Sequence, residues 1–327
     1  PGPTSIRLTT SASKLTQVSN SKMKILFTGV SSFTGFWFVR KLCEAGHEVV
    51  ATCTRSSLDD YMDGSIRAER MRWLANQDWP NLTFTFGCRF GDEAFVSLIQ
   101  DGSFDALAHH GAEVTDYKSP DFDVAGAVAN NTNNLRAVLK VCKESGCQRI
   151  VLTGSVFEGG EGAGSEGLPH FSPYGLSKAL TAEIFKYYCE EADLRLGKFV
   201  IPNPFGPFEE PRFTAYLMRT WAADEVAGVN TPAYVRDNIH VEQLAGAYVA
   251  FVSELSDSAG YAKTNPSGYV ESQGAFAERF SREMSKRLGL ACELDLANQT
   301  EFAEPYSRIN TDRLRARDQD AAACWDA

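Results

Sequence analysis

From Met23 onward the apolar positions fall into short runs separated by stretches of helical periodicity. Lys24-Ile25-Leu26-Phe27-Thr28-Gly29 is an apolar run closed by glycine, and from Gly35 the residues Phe36, Phe38, Val39 and Leu42 recur at helical spacing until Gly46. Val49 to Cys53 is a second apolar run, so the first thirty or so folded residues predict strand, tight turn, helix, strand. Further strands are predicted at 82–86, 106–110, 149–153 and 196–201, with helices notably at 125–144 and 174–191. Strands alternating with helices imply an α/β fold, a Rossmann-type doubly wound parallel sheet that takes ligands at the carboxyl ends of its strands. Later helical patterns run over 213–221, 242–254 and 273–288.

Composition narrows the function. The chain has 327 residues, 43% hydrophobic and 23% charged, which is enough to build a sizeable core. A net charge of -10 argues against a nucleic-acid partner, which would need a basic face. Without a run of 18 apolar residues, no membrane span is expected. Cysteines 43, 53, 88, 142, 147, 189, 292 and 324 lack Cys-x-x-Cys spacing and read as buried small residues in a reducing, cytoplasmic setting. Residues 1–22 carry no Asp or Glu and read as a disordered leader or tail.

The chemistry collects at the predicted strand ends. Gly29 and Gly35 are the first and last glycines of a dinucleotide turn, with Ser31, Ser32, Phe33 and Thr34 between them and Ser32 where a middle glycine is usual. Glycine lets the backbone approach a pyrophosphate, and the helix N-terminus supplies N–H donors. After the second strand there is no carboxylate for the ribose of NAD; Arg55 and Ser56 stand there instead and suit the 2′-phosphate of NADP. His109-His110-Gly111-Ala112 ends one strand and Thr153-Gly154-Ser155 the next. Adjacent histidines on a strand point to opposite faces, so the pair reads as structural or as a cofactor wall, with no metal site expected. In Ser172-Pro173-Tyr174-Gly175-Leu176-Ser177-Lys178, a phenol and an ammonium four residues apart share one helical face, where the lysine can lower the phenol's pKa for proton transfer.

In order, these stretches resemble the extended short-chain dehydrogenase/reductases that act on nucleotide-activated sugars. The resemblance runs from residue 24 to about 315 and includes Asn131, Pro202-Asn203-Pro204-Phe205-Gly206-Pro207 and Arg236-Asp237-Asn238-Ile239-His240-Val241. It implies that Tyr174 is the acid/base, that Lys178 binds the nicotinamide ribose and tunes Tyr174, and that a hydroxyl residue polarises the substrate oxygen. Counting from the strand start selects Ser155 for that role, whereas aligning Val156-Phe157 with the family's Val-Tyr pair selects Thr153; Ser155 is preferred. His109, Gly111, Ala112, Asn131 and Pro202 would line the cofactor, and Asn203 and Arg236 would hold a nucleotide-diphosphate sugar. Residues 23–202 would form the dinucleotide-binding domain, and 203–327 mainly a smaller substrate lobe, with segments returning to the core. The resemblance also implies a homodimer paired through the helices that begin near Ala125 and Tyr174. Dehydratases of this type place an acidic pair directly after the hydroxyl residue; here Val156-Phe157 follows Ser155 and Glu158 comes one place late. With NADP(H) expected and NAD the alternative, the leading expectation is reduction of a keto-sugar nucleotide. The alternatives are a nucleotide-sugar epimerase working by transient oxidation and, from another class, a non-catalytic dinucleotide sensor.

Overall fold

The computed structural model describes residues 22–61, 64–314 and 321–326. The leader or tail expected over 1–22 therefore lies outside the described residues, apart from Lys22. β1 (Lys24–Thr28), α1 (Phe33–Glu44) and β2 (Glu48–Thr52) form the predicted first unit. There follow α2 (Ile66–Ala75), β3 (Leu82–Thr85), α3 (Glu93–Gly102), β4 (Ala106–His109), α4 (Val124–Asn131), α5 (Leu135–Glu144), β5 (Arg149–Ser155), β6 (Ala163–Gly164), α6 (Pro173–Glu191) and β7 (Arg195–Ile201). The remainder comprises β8 (Asn203–Phe205), α7 (Phe213–Ala222), β9 (Ala227–Val229), β10 (Val235–His240), α8 (Val241–Glu254), β11 (Gly260–Thr264), β12 (Pro266–Ser267), β13 (Tyr269–Ser272), α9 (Gln273–Leu288), β14 (Leu294–Leu296), β15 (Ser307–Ile309), β16 (Asp312–Arg313) and α10 (Ala321–Asp326).

Seven parallel strands in the order β3-β2-β1-β4-β5-β7-β11 make the central sheet, with Rossmann-like topology. The chain reverses direction of build between β1 and β4, which opens the ligand crevice at their carboxyl ends. Alternation along β1 explains why the whole strand is apolar. Ile25 and Phe27 pack into the cluster on the α1 and α8 side, and Leu26 into the cluster with α3, α5 and α6. Burying each such side chain stabilises the fold by about 1.5–3 kcal/mol before chain entropy is set against it. α8, from late in the chain, covers α1, with the Phe38 and Tyr248 rings stacked at 4.0 Å and 3°.

A second sheet, β13-β10-β15-β6 with β8 beside β10, stands over the carboxyl ends of the first. Behind it Phe205, Leu217, Trp221, Phe276 and Phe280 form a separate apolar cluster. The single helix expected over 125–144 is two helices. Asn134 adopts a left-handed φ of 49°, and Asn133 and Asn134 donate side-chain bonds to Phe90 O and Gly91 O, so tethering to the neighbouring loop breaks the helix. The eight cysteines are buried and none forms a disulfide. No helix among the described residues is long and apolar enough to cross a membrane.

Candidate active site

The turn after β1 is built for close backbone approach. Gly29 has φ +82°, and a Cβ there would lie 2.7 Å from Gly111 Cα; one on Gly35 would lie 2.2 Å from Gly29 O. Ser32 caps α1, accepting from Gly35 N at 3.1 Å and donating to Gly29 O at 2.9 Å. The first turn of α1 holds no acidic residue, so its N-terminal partial charge is left for an anion. Ser31, Phe33 and Thr34 are buried in this turn. These features fit a dinucleotide pyrophosphate.

The β4 end locks onto the same turn through its histidines. His109 joins Thr28 Oγ1 (3.0 Å) to Asn131 O (3.1 Å), and its ring stacks on Phe185 at 5.3 Å. His110 lies 2.9 Å from Thr153 Oγ1 through Nδ1 and 3.0 Å from Ser32 Oγ through Nε2. Burial, reinforced by the Lys178 charge, pushes both histidines down to about 3, so both are neutral at ordinary pH. Gly111 N donates to Thr28 Oγ1 (2.9 Å), and the Asn131 amide bridges Glu113 N (2.9 Å) to Thr181 Oγ1 (3.3 Å), fixing the chain on either side of Ala112. His109, His110 and Asn131 thus brace the crevice from behind. Elsewhere among the described residues His240, Glu242 and Cys324 gather ligand-type atoms within 4.8 Å, and His240 Nδ1 accepts from Glu242 N at 3.3 Å.

At the β2 end Arg55 bonds to the Asp60 carbonyl and lies 4.6 Å over the Tyr61 ring. The Asp60 carboxylate accepts from Ser56 N and Ser57 N, each at 2.9 Å. Arg55 is thus tied to the Asp60 carbonyl, and Ser56 to the Asp60 carboxylate through its backbone N–H rather than its hydroxyl.

Tyr174 and Lys178 lie one turn apart at the start of α6. Ser172 caps that helix by accepting from Gly175 N (3.1 Å), with Pro173 in its first turn. Edge contacts with Tyr117 (5.5 Å) and Phe122 (6.0 Å) hold the Tyr174 ring. Burial, aided by the Glu158 charge, pushes Tyr174 up, and the opposing influence comes from Arg212. Burial also lowers Lys178 to about 8, against a raising influence from Glu158.

Of the two hydroxyl candidates, Thr153 is engaged by His110, whereas Ser155 is buried at the carboxyl end of β5. Ser155 Oγ accepts from Phe157 N at 3.2 Å, and among the described residues nothing accepts its proton. Pro202 and Asn203 lie where β7 gives way to β8, and the Asn203 Nδ2 is buried without a partner, an orphan donor that a ligand oxygen would satisfy. Arg236 is buried, donates to Val235 O (2.9 Å) and Pro305 O (3.1 Å), and pairs with the half-exposed Glu304 at 2.8 Å.

Sequence reasoning missed the ions behind β5. Glu158 and Glu161 are buried on either side of Lys198, at 2.5 and 2.8 Å. Arg308, fully buried, donates to Val156 O and Glu158 O and so pins the glycine-rich 158–170 segment, whose Gly164 also pairs with Arg308 in the second sheet. One signal was present: Lys198 interrupts the apolar run of β7.

Three comparisons bear on this geometry. The model of the NAD dependent epimerase/dehydratase family matches residues 25–263. UDP-glucose 4-epimerase of Mycolicibacterium smegmatis is 26% identical over 242 residues, covering 69% of this chain and 72% of that protein. Among solved structures, UDP-glucuronic acid 4-epimerase from Bacillus cereus, in complex with UDP-glucuronic acid and NAD, superposes with TM-score 0.69 at 17% identity, covering 93% and 98% of the two chains. DesIV, a dTDP-glucose 4,6-dehydratase from Streptomyces venezuelae solved with NAD and TYD bound, gives TM-score 0.61 at 17% identity, covering 84% of each.

Proposed function

Since this chain belongs to the NAD dependent epimerase/dehydratase family, as an enzyme of the short-chain dehydrogenase/reductase type, we propose that it is a nucleotide-sugar epimerase that inverts a secondary alcohol carbon. The relative that supports this is itself named a UDP-glucose 4-epimerase, so C4 of a UDP-hexose is the first carbon to test. The single observation that supports the reading is that Tyr174 and Lys178, one turn apart on α6, and Ser155 at the end of β5 each have Glu158 as a neighbour, with the orphan Asn203 Nδ2 at the start of β8. Net reduction with NADP(H), the leading expectation from sequence, rested on Arg55; because Arg55 is engaged by the Asp60 carbonyl and the similar solved structures carry NAD, NAD is the better reading.

A bound nicotinamide dinucleotide supplies reversible hydride exchange with a carbinol carbon. Tyr174 takes the proton of the substrate hydroxyl and later returns one. Ser155 donates its unshared proton to the substrate oxygen, and the Lys178 ammonium favours the phenolate while Tyr174 is deprotonated. Asn203 and Arg236 hold the diphosphate, Arg236 by exchanging Glu304 for phosphate oxygens; a planar multi-donor cation suits that exchange. Acidic residues do not directly follow Ser155, and this favours epimerisation over dehydration. A homodimer would pair the exposed faces of α4 and α6, where Leu180 and Tyr187 remain exposed.

The test is incubation with UDP-glucose and with UDP-glucuronic acid, followed by proton NMR of the sugar. Appearance of the C4 epimer without added reductant supports the reading. Consumption of NADPH with a keto-sugar nucleotide, and no epimer from either UDP-sugar, would replace it with the reductase.

A further inference from the structure

The Glu158–Lys198–Glu161 cluster lies against the candidate site, and no step above uses it. Ser155 is gripped by the turn that follows it. Its carbonyl accepts from Glu158 N (3.0 Å), its Oγ from Phe157 N (3.2 Å), and its own N–H donates to Glu158 Oε1 (2.7 Å). The other carboxylate oxygen of Glu158 meets Lys198 Nζ at 2.5 Å, and Lys198 also meets Glu161 at 2.8 Å. Glu161 in turn accepts from Lys263 and from Asn265 Nδ2, each at 2.9 Å. Glu158 has no exposed surface. Space for the pair is kept by Gly154, where a Cβ would lie 2.7 Å from Lys198 Cε and 3.0 Å from Glu158 Oε1.

Buried ion pairs are seldom the most stabilising way to fill a core, because desolvating two charges offsets much of their attraction. A strut for β5 would need only an amide or a hydroxyl. A carboxylate, directly bonded to the backbone of Ser155, adds a fixed negative charge to the site. We propose that Glu158 is a positioning residue: it holds the Ser155 end of β5 by the backbone N–H and supplies the buried negative charge against which the Lys178 ammonium is kept.

The electrostatic surroundings agree. Lys178 feels the charges of Glu158 and Lys198 and itself acts on the neutral His109 and His110 from β4. Tyr174 faces Glu158, Arg212 and Tyr117. Glu158 itself faces Lys198 from β7, Tyr261 from β11 and the Arg308 guanidinium from β15, whose Nη2 donates to the Glu158 carbonyl. Of the charged groups that act on Lys178, Glu158 favours its ammonium form and Lys198 opposes it.

The kinetic consequence of the inference rests on the epimerase reading, but the charge itself does not, so the test has two arms. Lysine carbon NMR, with the Lys178 signal assigned by its absence in Lys178→Met, follows the titration in wild type and in Glu158→Gln, which keeps an acceptor for Ser155 N–H and removes the charge. The Lys178 midpoint is expected to fall by about 1 unit, a tenfold loss of proton affinity. An unchanged midpoint in a folded Glu158→Gln protein overturns the proposal, whether or not any sugar is turned over. If Glu158→Gln does not fold, Glu158→Asp draws the carboxylate back and is expected to give a smaller downward shift; a midpoint equal to wild type in that variant also overturns it. In the kinetic arm, Glu158→Asp lowers kcat with KM nearly unchanged, since Ser155 loses its anchor while the substrate contacts at Asn203 and Arg236 remain. An absence of epimerisation in wild type counts against the function and leaves the NMR result standing.

Discussion

The two sides of the crevice satisfy their buried polar groups in different ways. At the dinucleotide turn, neutral groups bond to neutral groups: Thr28, His109, His110, Ser32 and Thr153 form a network without a formal charge, on a backbone that only glycine permits. At the ends of β5 and β7, the partners are ions, Glu158, Lys198 and Glu161. A neutral network can lie beside a charged cofactor without setting its protonation or that of its neighbours. An ionic cluster cannot be neutral in that sense, since its field reaches Tyr174 and Lys178. The difference assigns the first region to holding and the second to tuning.

The largest expected effect lies where the two regions meet. Tyr174→Phe removes the proton donor and acceptor and should lower turnover by about 10²–10⁴-fold, with dinucleotide binding unchanged. Steady-state rates and a cofactor titration on the same preparation check it. Next, Lys198→Met leaves two buried carboxylates without their shared partner and should cost about 3–5 kcal/mol of stability, read from denaturant unfolding. An equivalent loss from a neutral partner, such as Thr153→Val, would erase the contrast between the regions.

How much of this was legible in the chain follows the same division. The turn at 29–35 and the pair Tyr174 and Lys178 are local, and spacing along the chain reveals them. The parallel sheet was legible as well, because β1, β2, β4, β5 and β7 are buried along nearly their whole length on both faces. The ionic cluster was not, because Glu158 and Glu161 lie in a glycine-rich segment and acquire their meaning only from Lys198, about 40 residues away. Asp60 was missed for a similar reason: nothing in sequence says that its carboxylate turns back to Ser56 and Ser57 and leaves Arg55 engaged. β11 escaped notice because its exposed edge carries little apolar pattern.

Two smaller effects sharpen the neutral side. In Gly35→Ala the new Cβ meets Gly29 O, so the turn must open; dinucleotide affinity should fall by more than ~10-fold, about 1.4 kcal/mol, by calorimetry. Acid should break the network by charging it. His109 and His110 bind protons less readily when folded than when unfolded, so stability is complete above the unfolded value of about 6.5 and is lost as pH falls towards about 3. Unfolding midpoints measured from pH 7 to pH 4 should decline accordingly. The smallest effect is expected from Arg55→Ala: since this side chain is committed to Asp60 and Tyr61, the ratio of NADH to NADPH affinity should change by less than ~10-fold.

The central claim is that one crevice removes hydrogen from a sugar carbon and returns it to the opposite face. Its most direct test is conversion of UDP-glucose carrying deuterium at C4. The account predicts an epimer inverted at C4 that keeps its deuterium, with no net change in cofactor redox state. Deuterium accumulating in released dinucleotide, or an epimer with solvent hydrogen at C4, would contradict it.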